Sequence, residues 1–112
     1  MKRVLIIDDE VDLCNLIKHF LTNKKYEVFI AHNLKEGFSL LKTVKPDSLF
    51  LDNYLPDGMG WDFADDIQLQ HPHLNITLIS AYNYPIVSKL SKNKKINILE
   101  KPISLYNIEQ YI

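Results

Sequence analysis

Five times along the chain, a short apolar run gives way to residues with a different period. The runs are Lys2 to Ile7, Glu27 to Ala31, Ser48 to Leu51, Ile76 to Ile79 and Asn97 to Leu99. Each is too short for a helix and reads as a strand; the first, ending at Asp8-Asp9, reads as buried on both faces. Between them the apolar residues recur at three- and four-residue spacing. Leu13, Leu16, Ile17, Phe20 and Leu21 form one such stripe, closed by Asn23-Lys24-Lys25, and Cys14 falls on its apolar face as core filler. Asn33 is placed to cap a second helix with Leu34, Phe38 and Leu41 inside, broken by Lys45-Pro46-Asp47. Trp61, Ala64 and Ile67 mark a third, ended near His71-Pro72, and a short fourth is expected from about Pro85 to Asn93. Ser104 is placed to cap a last one carrying Leu105, Ile108, Tyr111 and Ile112. Strict alternation of strand and helix implies an α/β fold with a parallel sheet covered by helices on both faces.

A chain of 112 residues is one domain of ordinary size and can bury a core without staples. A net charge of −1 gives no reason to expect nucleic acid or a membrane surface as partner. No apolar run approaches a membrane span, and "MKRVLII" is too short and too quickly followed by acids to be a signal peptide. One cysteine excludes an internal disulfide framework, so the expected compartment is the cytoplasm. The whole of 1–112 is read as one domain. The apolar pattern of the last helix still runs at Ile112, so that helix is short or truncated. Any output domain is expected to follow Ile112, because Met1 lies just before the first strand.

In open parallel sheets, ligands bind beyond the carboxyl ends of the strands. Those ends carry Asp8-Asp9, Asp52, Ser80 and Lys101, whereas the second strand ends in the less suggestive Ala31-His32. Three close carboxylates repel one another unless a cation sits among them. Hard oxygen ligands suit Mg²⁺, which keeps several waters and bridges to phosphoryl groups. One carboxylate can then be the nucleophile towards phosphorus, with an ammonium and a hydroxyl on the remaining oxygens.

Taken in order, "IIDDE" (6–10), "LDNYLPDGMG" (51–60), "ISA" (79–81) and "EKP" (100–102) resemble the receiver domain of bacterial two-component response regulators over essentially the whole chain. The resemblance implies a flavodoxin-like, doubly wound five-stranded parallel sheet in order 2-1-3-4-5. It implies that Asp52 is the phosphoacceptor, served with Mg²⁺ by a partner histidine kinase or phosphotransfer protein, and that the phosphorylated state switches an output domain or protein. Asp9 matches the direct metal ligand, and Asp8 the acid acting mainly through metal-bound water. The backbone carbonyl of Tyr54 completes the metal set. Ser80 matches the switch hydroxyl, and Lys101 its ionic partner. Lys101-Pro102 matches a peptide that is usually cis. Such a domain signals; it is not an enzyme beyond assisting its own phosphorylation and dephosphorylation. A phosphorylation-linked homodimer is compatible with it. Ile98 stands where the family often has Tyr or Phe, and an isoleucine cannot swing a polar-tipped ring inward.

Blander readings stand beside these. An aspartate at a strand end is often a turn former, and Asp8 or Asp9 could cap the first helix; the joint occurrence of four strand-end sites decides against that. Lys89, Lys92, Lys94 and Lys95 read as a solvated helix end, and His71-Pro72-His73 lacks a third metal ligand. Tyr54 and Tyr82 lie two residues beyond Asp52 and Ser80. The rival functions are a small Mg²⁺-dependent phosphohydrolase with an aspartyl nucleophile, a flavin-binding domain of similar topology, and a module signalling without phosphorylation. The phosphohydrolase wants a second acid where Tyr54 stands. A flavin domain wants an anion-welcoming loop where Asp8, Asp9 and Glu10 stand. The intact acid set argues against the third.

Overall fold

The computed structural model describes residues 1–80 and 96–112. Strand β1 (Arg3–Ile7) lies inside the sheet, and its side chains alternate between two cores. Leu5 and Ile7 enter one apolar cluster, Val4 and Ile6 the other, all fully buried. A strand apolar on both sides needs cover on both sides, and the chain supplies it with helices. On the first face lie α2 (Leu34–Val44) and α3 (Ala64–Gln70), contributing Leu34, Leu41, Ala64 and Ile67. On the other lie α1 (Val11–Asn23) and α4 (Leu105–Glu109), contributing Cys14, Ile17, Leu21 and Ile108.

The remaining strands are β2 (Glu27–Ala31), β3 (Ser48–Asp52), β6 (Asn75–Ser80) and β7 (Ile96–Glu100). They pair in parallel, in order β2-β1-β3-β6-β7, which is the expected 2-1-3-4-5 with two short extra strands in the count. Those extras, β4 (Tyr54–Leu55) and β5 (Gly58–Met59), form an antiparallel hairpin around Pro56-Asp57, where the sequence indicates a turn. Gly58 has φ +150°, a conformation only glycine takes without strain.

The element ends follow local chemistry. Asn33 caps α2, its side-chain oxygen accepting the Glu36 N–H at 2.8 Å, and Lys45 stops that helix in the left-handed conformation. α1 differs from expectation in its stripe. Glu10 is its N-cap residue and makes no side-chain cap bond. Leu16 is 53% exposed, because the apolar stripe is wider than the arc the sheet covers. The third helical segment starts as a 3₁₀ turn (Gly60–Phe63) before α3, yet Trp61, Ala64 and Ile67 are buried as expected. α4 is short, and Tyr111 and Ile112 beyond it still pack on the second core. Ser104 occupies its N-cap position without a side-chain bond. The expected helix from Pro85 to Asn93, the lysine cluster and Tyr82 lie outside the described residues. Among the described residues no helix is long and apolar enough to cross a membrane.

Candidate functional site

Parallel register brings the strand ends together. Ile7 pairs with Leu51, so Asp8 and Asp52 come one step later on neighbouring strands. Asp52 pairs with Ile79 on its other side, and Ser80 follows on β6. Ser80 in turn pairs with Glu100, and its carbonyl accepts the Lys101 N–H at 2.8 Å. The result gathers the expected residues at one edge. Carboxylate oxygens of Asp8, Asp9 and Asp52 lie within 4.8 Å of one another. Lys101 Nζ stands 3.5 Å from Asp8 Oδ2 and 3.0 Å from Glu10 Oε1. Asp8 is fully buried, Asp52 and Ser80 nearly so, and Asp9 faces solvent. Tyr54 opens β4 with its side chain half exposed. The Lys101-Pro102 peptide is cis, as expected.

Burial sets the electrostatics. Loss of water pushes Asp52 up to about 7, with the Asp8 charge adding to it and Lys101 and the Asn53 N–H opposing. Burial likewise raises Asp8, against the Glu10 N–H and Lys101. At Lys101 burial works against the charge, but the Glu10 hydrogen bond and the Asp52 and Asp8 carboxylates outweigh it, and the ammonium is held above its ordinary range. Asp8 Oδ2 is buried without a hydrogen-bond donor, and Lys101 alone does not fill that place. A hard divalent cation among these oxygens would relieve both the repulsion and the unmet oxygen. The donor set therefore fits Mg²⁺.

Around the carboxylates stand residues to which the sequence attached no role. Asn53 donates its N–H to Asp52 Oδ1 at 2.9 Å, accepts the Trp61 N–H on its side chain at 3.2 Å, and accepts the Gly60 N–H on its carbonyl at 2.7 Å. A Cβ on Gly60 would collide with the Asp52 carbonyl oxygen, so only glycine fits. His32 bonds the Asp8 carbonyl at 2.9 Å, and the Cys14 thiol donates to the same oxygen at 3.3 Å. Burial, before the nearby Asp8 charge, pushes the Cys14 thiol up to about 12, so it stays protonated. Asp57 accepts the Leu34 and Lys35 N–H groups at 2.8 and 3.0 Å, which the turn signal at Pro56-Asp57-Gly58 did not foretell. Asp8 and Asp9 do not supply a side-chain cap to α1; Asp8 instead accepts the Glu10 N–H. Ile98, beside Leu78 on β7, packs against the first core cluster.

Comparison with known proteins places this arrangement. The family model described as "Response regulator receiver domain" matches residues 4–112. Response regulator protein PilR of Pseudomonas aeruginosa is 31% identical over 112 residues, covering 99% of this chain and 25% of PilR. Sensory transduction protein LytT of Bacillus subtilis is 34% identical over 115 residues, covering 98% of this chain and 46% of LytT. The chain thus spans between a quarter and a half of these relatives. Among solved structures, a two-component response regulator from Clostridium difficile superposes with a TM-score of 0.86 at 28% identity, covering 98% of this chain and 91% of that one.

Proposed function

The chain belongs to the response regulator receiver family, and we propose that within it the protein is a phosphoacceptor: Asp52 takes a phosphoryl group from a partner histidine kinase or phosphotransfer protein in the cytoplasm, and the change is read by an output domain or protein. The observation that carries this reading is the convergence of Asp8, Asp9 and Asp52 within 4.8 Å, with the Lys101 ammonium beside them. Asp8, Asp9, Asp52 and the Tyr54 carbonyl would hold Mg²⁺, which when bound supplies positive charge against the acids and the phosphoryl oxygens.

Asp52 provides the nucleophile. One of its carboxylate oxygens forms a bond to phosphorus while the bond from phosphorus to the donor's imidazole nitrogen breaks, and the electron pair leaves with the imidazole. The attacking form is the carboxylate, which the positive charge of a bound Mg²⁺ would favour over the protonated acid that burial favours. Lys101 contributes a fixed positive charge for a phosphoryl oxygen, and Ser80 contributes a hydroxyl donor at the adjacent strand end. Both groups stand on β-strand ends or just beyond them, at the edge that carries Asp52. The domain assists this transfer and the later hydrolysis of its own acyl phosphate, and turns over no other substrate.

The test is intact-mass measurement after incubation with a small phosphodonor such as acetyl phosphate and Mg²⁺. Wild type should gain one phosphoryl group that is lost in acid or base. Equal labelling of Asp52→Asn would sink the assignment.

A further inference from the structure

The two acid-bearing loops come from strands β1 and β3, yet a single corner of the fold ties them together. That corner is residues 32–35, where β2 turns into α2. At one end His32 Nδ1 lies 2.9 Å from the Asp8 carbonyl oxygen. A carbonyl oxygen cannot donate, so Nδ1 carries the proton and His32 is the donor. At the other end the Leu34 and Lys35 N–H groups both donate to the Asp57 carboxylate. Asp57 sits at the tip of the β4–β5 hairpin, whose first residue is Tyr54. The Leu34 side chain lies against Gly58 in the same hairpin; a Cβ there would come within 3.0 Å of Leu34 Cδ1. Asn33, between the two ties, is fixed by its own cap bonds with Glu36. The corner is therefore rigid, with one loop fastened to each end.

We infer that residues 32–35 are a clamp that sets the distance between the Asp8 loop and the Tyr54 hairpin, with His32 and Asp57 as positioning residues for cation binding. This rests on the proposed metal-dependent reading of the site. The logic is that of groups behind metal ligands, which orient them and whose loss weakens binding without removing a donor. His32 acts on the Asp8 backbone and so on the direction of its buried carboxylate. The Cys14 thiol shares the same carbonyl from the α1 side and limits its freedom further. Asp57 acts at the far end of a two-residue turn, through the paired strands Tyr54–Leu55 and Gly58–Met59. The two α2 N–H bonds hold Asp57 below the usual carboxylate range, the Leu34 bond first, so the tie stays ionic near neutral pH.

The experiment is a Mg²⁺ titration of the whole chain followed by amide chemical shifts, which report folding and binding together. His32→Ala and Asp57→Ala should each weaken Mg²⁺ binding about tenfold with the spectrum otherwise folded. His32→Asn keeps a donor and Asp57→Asn keeps one acceptor oxygen, so each should recover part of the loss. Asp47→Asn is the control: Asp47 accepts the Arg3 N–H at 2.8 Å at the opposite edge of the sheet, and removing its charge should leave Mg²⁺ affinity unchanged. If Asp57→Ala does not fold, His32→Ala still decides the matter. Affinities of folded His32→Ala and Asp57→Ala that stay within about twofold of wild type overturn the clamp. So does an equal loss in Asp47→Asn. Failure of the metal reading itself would look different: wild type would show no Mg²⁺ shifts, or Asp52→Asn would bind as well as wild type.

Discussion

Gly60 is the residue on which the acid edge has least tolerance. Its N–H meets the Asn53 carbonyl at 2.7 Å, and a Cβ would run into the Asp52 carbonyl oxygen and come within 3.0 Å of Leu51. The main obstacle is backbone at the end of β3, held by its pairing with β6, so it cannot swing aside. Gly60→Ala should cost about 3 kcal/mol, the upper end of overpacking penalties, read by urea unfolding. A loss under about 1 kcal/mol would mean that the loop shifts freely. The carboxylates and Lys101 were legible because strand ends are legible: an apolar run that stops at an acid says where the acid sits. Gly60, Asp57 and His32 were not. Their partners lie respectively across a hairpin, 23 residues away and 24 residues away, and no local pattern encodes such a pairing.

Elements were legible to the extent that short-range chemistry decides them. The α2 cap is the clearest instance, since donor and acceptor are three residues apart. Asn33→Ala should lower stability by about 1 kcal/mol in urea unfolding, with the fold retained. If the change is negligible, water replaces the cap without cost. α1 shows the opposite case. Its start is set by Asp8 accepting the Glu10 N–H, a bond that belongs to the acid site more than to the helix. Its apolar stripe extends to Leu16, and only packing against the sheet reveals that Leu16 falls outside the covered arc. Leu16→Ala should therefore change stability by less than about 0.5 kcal/mol, whereas Ile17→Ala, at a buried site, should cost about 2–5 kcal/mol. The same unfolding series checks both, and similar losses would show that the two faces of α1 are equally packed.

At the scale of the molecule, the acid edge couples stability to pH in an unusual direction. Most paired carboxylates have lowered values and favour the folded state more as pH rises. Asp57 is of that kind: its tie is present above the ordinary carboxylate range and is lost as pH falls through its lowered folded value. Asp52 and Asp8 are of the other kind, because burial raises both. From about pH 4 upward the unfolded chain has released its Asp52 proton, while the folded chain keeps it until about 7. The folded state then binds more protons, so stability falls across that window and levels off above it. Asp52→Asn removes this carboxyl and keeps the rest, so the difference between the two proteins isolates it. Without divalent cations, the melting temperature of wild type should drop relative to Asp52→Asn between pH 5 and pH 8. Saturating Mg²⁺ should recover the wild type at pH 8 and help the variant less, since a cation that binds only the folded state adds its own binding free energy. A metal-free difference that stays constant from pH 5 to pH 8 would show that Asp52 ionises like an ordinary carboxyl. The edge would then carry no electrostatic strain for a cation or a phosphoryl group to relieve.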